Sequence, residues 1–265
     1  MPERRPSGPA AALNRGSTLV VETFRSIVLT KGMIIALIVL FIPSFIAIYT
    51  LLDPPTNSKD WPDLFALLGV LVFVQFYLLI FPLIYGTFAL NEDMERRTMT
   101  YLVTRGSLRM EVFIHRYIGT LLALIPLFTL PIVTTYLLLS AHSGLDRMVE
   151  NLDLLFDLLL AVYLGTIIYT ALFCLFGIAF KKPLVVGLLF SFFWELVMAF
   201  IPLRIREFTI MYYVRSMLLS RDDIWSSMVA LPKWATYGGS IFLLLFLTGI
   251  FLLVGSWVTY RKELT

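Results

Sequence analysis

The chain has 265 residues, of which 59% are hydrophobic and only 15% are charged, and its mean hydropathy is +0.86. A soluble domain of this length cannot hide so much apolar surface, and several apolar runs reach the ~20 residues that a helix needs to cross a bilayer. Long continuous apolar runs also exclude a transmembrane barrel, whose strands alternate in polarity. The net charge of +3 says little by itself, and we expect no nucleic-acid partner.

Residues that could build a covalent framework or a metal site are scarce. The single cysteine, Cys174, lies inside an apolar run, and the two histidines, His115 and His142, are far apart. The sequence therefore predicts no disulfide framework, no metal site and no cofactor.

The first 31 residues divide into two parts. Residues 1–17 contain Pro, Gly and Arg without the short apolar core of a signal peptide, which predicts a disordered cytoplasmic tail. Residues 18–31 set Phe24 and Ile27 against Glu22 and Arg25, a pattern typical of a helix lying in the membrane interface.

Residues 18–265 are predicted to form one all-α polytopic transmembrane domain. Six segments are predicted to cross the bilayer, and they are residues 33–52, 64–90, 111–140, 154–180, 184–201 and 240–260. Residues 202–239 are too polar to span and too apolar for a free loop, which leaves two interpretations open. They form either a re-entrant outer gate or a passive helix on the membrane surface.

The basic residues predict the orientation of these spans. Most of the Lys and Arg side chains fall on one side if the N-terminus is cytoplasmic, although a cluster follows the fifth span. The positive-inside rule therefore favours a plasma-membrane protein with both termini in the cytoplasm. The most charged stretch, residues 90–119, then faces the cytoplasm between the second and third spans.

The run NEDMERRTMTYLVTRGSLR, residues 91–109, resembles the first cytoplasmic loop of ABC-2 type transporter permeases. Glu92, Asp93 and Glu95 are similar to the acidic cluster of that loop. The other similar positions are Thr98–Met99 for its Thr-Leu pair, Tyr101–Leu102 for its apolar turn and Arg109 for its later Arg. The chain departs from the family pattern at three positions, which are Arg97, Gly106 and Arg116.

The resemblance implies a fold for this chain and a separate subunit that hydrolyses ATP. In this family an N-terminal elbow helix lies at the interface, a coupling helix sits between spans two and three, and short re-entrant helices separate spans five and six. The chain lacks a GxxxxGK[ST] phosphate-binding loop, so we expect no enzymatic activity and a separate ATP-binding subunit as the engine. The residues that the resemblance implies for ATPase coupling are Glu92, Asp93, Glu95, Arg96, Thr98, Tyr101 and Arg109. It also implies a second permease chain, identical or related, and export of a substrate that the sequence does not identify.

Two polar residues inside predicted spans are further candidates. Glu195 lies in the fifth span, where an ionisable group indicates a pathway, a dimer interface, or a structural pair with Arg204 or Arg206 near the outer boundary. Gln75 lies in the second span, where packing is the simpler interpretation and an intramembrane pathway is the alternative.

Two other functions are compatible with this sequence. One is a membrane anchor or accessory subunit that binds an ATPase without transporting anything. The other is an intramembrane protease, because Glu92-Asp93-x-x-x-Arg97 resembles the paired acidic and Arg motif of membrane prenyl-protein peptidases. Such a site also needs histidines in neighbouring spans, whereas His142 is predicted on the opposite side and His115 stands alone.

Overall fold

The computed structural model describes residues 9–52, 61–95, 109–141, 143–198, 204–220, 224–225 and 235–261, and all of the regular structure in these ranges is helical. In chain order the elements are α1 (Pro9–Val28), α2 (Lys31–Leu40), α3 (Ile42–Leu52), α4 (Trp61–Leu68), the π-helix π1 (Gly69–Tyr77), α5 (Leu78–Glu95), α6 (Arg109–Ser140), α7 (Leu145–Glu150), α8 (Leu152–Ala179), α9 (Pro183–Leu189), the π-helix π2 (Phe190–Val197), a 3₁₀ turn (Arg204–Phe208), α10 (Ile210–Leu219) and α11 (Tyr237–Arg261).

Within these ranges, five helical stretches are long and apolar enough to cross a membrane, and they are Lys31–Thr50, Trp61–Ala89, Glu111–Ser140, Leu152–Ala179 and Tyr237–Arg261. They correspond to five of the six predicted spans, and the chain is a multi-pass helical membrane protein. The remaining predicted span, residues 184–201, is a shorter apolar helix, Pro183–Val197. The last residues of this predicted span, 199–201, lie outside the described part of the chain, so a sixth full-length crossing stays a prediction.

The amphipathic helix predicted over residues 18–31 is present as α1, but it begins at Pro9, inside the stretch assigned to a disordered tail. Its apolar face packs against the start of α6, and Arg116 Nη1 donates to Thr23 Oγ1 at 3.1 Å. Gly119 permits this contact, because a Cβ there would lie 2.6 Å from the Thr23 Cβ and 2.8 Å from the Val20 carbonyl oxygen. Glu22 stays exposed on the opposite face.

The first crossing is divided into α2 and α3 at Phe41. Pro43 causes the division, because proline has no N–H to donate to the carbonyl of Val39 four residues earlier. The Tyr77 hydroxyl of the second crossing donates to that carbonyl at 2.5 Å, so the freed backbone group keeps a partner away from water. The bend of one crossing is thereby matched to a side chain of the next.

The second and fourth crossings run in the same direction. A Cβ at Gly69 would touch Leu158, and one at Gly165 would overlap the side chain of Leu78. Residue numbers therefore increase together along α4–π1–α5 and α8. Because Gly165 has no side chain, the two helices approach closely in the middle of the bundle, as small residues allow in membrane proteins.

Hydroxyl groups tie the third crossing to its neighbours. Ser44 of α3 and Thr135 of α6 share a hydrogen bond of 2.8 Å between their hydroxyls. Thr129 of α6 and Tyr163 of α8 share another of 2.7 Å. Such bonds hold membrane helices together where the hydrophobic effect between them is absent.

Candidate functional site

Between α8 and α11 the described residues include two apolar helices shorter than a membrane span, Pro183–Val197 and Ile210–Leu219. Helix α9 begins at Pro183, two residues after the end of α8, and Gly187 packs against Leu83 and Phe173. It continues as π2, where Glu195 reaches the level of Tyr169 in α8. This segment thus starts on the side where α8 ends and reaches the middle of the bundle at Glu195.

The second half is α10, which runs on from that level towards the opposite side. The first amides of α10 lie at Glu195, beside Tyr169. The chain beyond α10 returns to the bundle at Trp225, whose ring centroid is 6.5 Å from that of Phe65 near the start of the second crossing. We call these two short apolar helices, Pro183–Val197 and Ile210–Leu219, the broken crossing.

The break lies in the hydrocarbon part of the membrane. With a rise of ~1.5 Å per residue, Tyr169 is ~15 Å from the end of α8 and ~26 Å from its beginning. The hydrocarbon core is only ~30 Å thick, so a group at the level of Tyr169 lies well inside it when α8 spans the bilayer. Backbone polar groups at this depth need partners within the protein.

Every amide that the start of α10 leaves outside the helical ladder has an acceptor. A helix begins with four such N–H groups. Those of Ile210 and Met211 donate to the Glu195 carboxylate, at 3.1 Å to Oε1 and 2.9 Å to Oε2. The amide of Tyr212 donates to Thr209 Oγ1 at 3.3 Å, and that of Thr209 donates to the Arg206 carbonyl at 3.0 Å.

Glu195 is therefore a non-local cap for α10. Its side chain is 0% exposed, and its Oε2 also accepts the Tyr169 hydroxyl at 2.9 Å. All three of these groups donate, which suits an ionised carboxylate, and the positive end of the α10 dipole favours negative charge at this place. Arg215, which is buried in the same helix, is a cation that attracts the Glu195 carboxylate electrostatically.

The Glu195 carboxylate contacts α8 and α10 within the chain, where it accepts hydrogen bonds from Tyr169 and two backbone amides. The guanidinium of Arg206 lies over the ring of Tyr212, 5.7 Å from its centroid. The predicted roles of Glu195 in a pathway, a dimer interface or a pair with Arg204 or Arg206 stay predictions.

Sequence reasoning missed three residues of this site, which are Tyr169, Thr209 and Arg215. Thr209 carries a local signal, because a threonine before an apolar helical run is a common N-cap. Arg215 carries another, as a basic residue within ten otherwise mostly apolar positions. Tyr169 has no local signal, since it comes near Glu195 only through folding.

Gln75, the other intramembrane candidate, lies in π1 and is 2% exposed. Neither of its amide atoms has a hydrogen-bond partner among the residues that the structure describes. Gly69 packs near Leu158 and Leu78 near Gly165, so Gln75 lies between these levels, on the side of Tyr169 where α8 begins. Gln75 and Glu195 share a local feature, because each belongs to a π-helical segment, a distortion that is frequent at functional sites.

The structure describes only some of the predicted ATPase-coupling residues. Glu92, Asp93 and Glu95 occupy the last turns of α5, and α6 begins at Arg109. Arg96, Thr98 and Tyr101 lie outside the described residues. The two helices that lead into and out of the charged stretch are therefore known, and the predicted coupling helix itself stays a prediction.

The histidine that the protease interpretation would need lies beside this stretch. His115 Nδ1 is 2.5 Å from the carbonyl oxygen of Glu111, one turn earlier in α6. Among the described residues, no group of three or more His, Cys, Asp and Glu side chains is placed to hold a metal ion.

Comparison with models of known protein families finds no match, and no curated protein sequence matches the chain. The class that the fold defines is a multi-pass helical membrane protein in which Glu195 caps a short apolar helix, α10.

Proposed function

We propose that this protein is the transmembrane permease subunit of an ABC-2 type transporter, an exporter in the plasma membrane driven by a separate ATP-binding subunit. Two permease chains, identical or related, assemble with two ATPase chains. Closure of the ATPase dimer on ATP pushes the charged segment between α5 and α6 and switches the spans between inward and outward states.

The observation that supports this proposal most is the arrangement of α1, the end of α5 and the start of α6 at one end of the helix bundle. The buried Arg116 of α6 holds α1 against the start of that helix through Thr23, next to the entry of the charged stretch. The exposed face of α1, with Glu22 and Arg25, then shares one side of the bundle with Glu92 and Glu95. An amphipathic helix beside a charged loop is a surface that suits a soluble ATPase.

The positions of the two chain ends agree with this arrangement. Thr23 of α1 lies against Gly119 near the start of α6. Gly255 of α11 lies against Phe113 of the same region, so both ends of the described chain are on one side of the bundle. With positive-inside orientation that side is the cytoplasm, where ATP is available. A broken helix near the middle of the bilayer is also a recurrent device of transporters, whose moving parts are built around such breaks.

The test is binding of the ATPase. Reversal of Glu92 and Glu95 to Lys in a tagged protein, co-expressed with a candidate ATP-binding cassette ATPase from the same organism, is expected to reduce ATPase co-purification at least tenfold. The matched control reverses Asp146 and Glu150, which are exposed on α7 at the opposite end of the bundle. Equal recovery of ATPase with both variants would rule out the proposed coupling surface.

Reconstitution separates a permease from an anchor. In lipid vesicles, the complex with the unaltered chain is expected to hydrolyse ATP faster than the ATPase alone, and the variant with Lys at positions 92 and 95 is not. An anchor would bind the ATPase without changing its rate, because it would not couple hydrolysis to movement of the spans.

A further inference from the structure

The start of α10 depends on one side chain from another helix. Of its four free amides, two are satisfied by its own turn, through Thr209 and Arg206. The other two donate to Glu195, which lies 15 and 16 residues earlier in π2. The carboxylate therefore determines where this helix can begin.

The place where α10 begins makes this dependence strong. At the level of Tyr169 the surroundings are protein and hydrocarbon, so amides without a protein acceptor cannot form hydrogen bonds to water instead. A longer path towards the outer side would restore hydration. Loss of the carboxylate therefore favours movement of α10 outward, away from α8.

Helix α10 fills the outer half of the bundle. Nine of its ten residues are buried, with Tyr213 partly exposed. It packs against α8, α11 and π1, which belong to the fourth, sixth and second crossings. Beyond it, Trp225 is 0% exposed and lies against the position of Gly69. Removing α10 would open the space between these crossings from the outside.

We propose that Glu195 is a positioning residue that holds α10 in the bundle, and that α10 held in this way is the plug that closes the outer half of the broken crossing. The bearing of this plug on transport rests on the proposed permease function. The position of α10 itself does not depend on that function.

The first experiment measures access to α10 from the outer side. Val214 of α10 is 0% exposed, and a Val214→Cys reporter is placed in a Cys174→Ala background. Labelling of intact cells with a membrane-impermeant maleimide is expected to be slow with Glu195 present and at least tenfold faster with Glu195→Ala. An unchanged rate in a folded Glu195→Ala protein would overturn the proposal.

Controls separate movement of α10 from general unfolding. Leu124 of α6 is also 0% exposed, and a Leu124→Cys reporter is expected to stay unreactive in the same variant. Thr166→Val, which removes a hydroxyl bonded only within α8, is expected to leave Val214→Cys unreactive. Faster labelling of both reporters to the same extent would show general unfolding and contradict a local movement of α10.

Graded variants keep the test informative if Glu195→Ala does not accumulate. Glu195→Gln keeps one oxygen acceptor and is expected to label at a rate between those of the Glu and Ala forms. Tyr169→Phe removes one of the three hydrogen bonds and is expected to give a smaller increase in the same direction. Rates that do not follow this order would contradict the assignment of the cap to Glu195.

A second arm tests the link to transport with the ATPase bound. ATP and vanadate are expected to raise the labelling of Val214→Cys when Glu195 is present, and to add little when Glu195→Ala has already raised it. A complex that hydrolyses ATP but shows no such change would overturn the role of the plug in transport. The first arm needs no ATPase, so failure of the permease proposal would leave its result intact.

Discussion

The hydroxyl of Tyr77 donates a hydrogen bond of 2.5 Å to the carbonyl oxygen of Val39, joining the second crossing to the first. Pro43, four residues after Val39, is the reason that this carbonyl is free. The Tyr77 hydroxyl therefore supplies the hydrogen bond that the Val39 carbonyl cannot obtain from the backbone of the first crossing.

Replacement of Tyr77 by Phe is therefore expected to destabilise the protein by about 1 kcal/mol, because a backbone carbonyl loses its partner away from water. The measurement is the thermal or denaturant unfolding midpoint in a fixed detergent. Tyr85→Phe is the matched control, since the Tyr85 hydroxyl makes only a long contact of 3.8 Å to the Met33 sulfur. A loss at Tyr85 as large as that at Tyr77 would contradict this explanation.

Tyr169→Phe is expected to lower the free energy of unfolding more than Tyr163→Phe does. The Tyr169 hydroxyl donates to the Glu195 carboxylate, whereas that of Tyr163 pairs with the neutral hydroxyl of Thr129. Hydrogen bonds to charged groups contribute about 1.5–3 kcal/mol, against about 1 kcal/mol for neutral pairs. Unfolding midpoints of the two variants decide the order, and a larger loss for Tyr163→Phe would argue that Glu195 is not ionised.

Gly119→Ala is expected to loosen α1 from α6. The added Cβ would meet the Thr23 Cβ at 2.6 Å and the Val20 carbonyl oxygen at 2.8 Å, so the helices must separate. Limited proteolysis is expected to cleave α1 several times faster in this variant. Gly249→Ala, in α11 with no heavy atom within 4 Å of the new Cβ, is the control and should leave the rate unchanged.

The broken crossing predicts opposite exposure at its two ends. Lys182, just before α9, and Ser220, just after α10, are both exposed. In a Cys174→Ala background, an impermeant maleimide added to intact cells is expected to label Ser220→Cys and to reach Lys182→Cys only after permeabilisation. Labelling of both from the same side would show that α9–π2 and α10 form a hairpin that does not cross.

Much of the fold follows from local properties of the chain. A continuous apolar run of about 20 residues must become a buried helix in lipid, because its backbone has no other partners. The first to fourth and the sixth predicted spans are therefore present close to their predicted bounds. The helix α1 begins at Pro9, earlier than the amphipathic pattern of residues 18–31 predicts.

The candidate site could be predicted only in outline. That Glu195 matters follows from an ionisable group in an apolar run. That it caps α10 does not follow, because its donors lie 15, 16 and 26 residues away along the chain. Hydropathy predicts a single span over residues 184–201. The sequence around position 195 does not indicate whether the carboxylate caps another helix.

By itself the sequence determined that this is a helical membrane protein with its charge concentrated between the second and third crossings. Those properties are sums over neighbouring residues, and the bilayer enforces them without reference to distant contacts. Only the tertiary structure decided that Glu195 meets Tyr169 and caps the start of α10. The reason is that four free amides inside the membrane need acceptors, and folding alone determines which side chain can reach them.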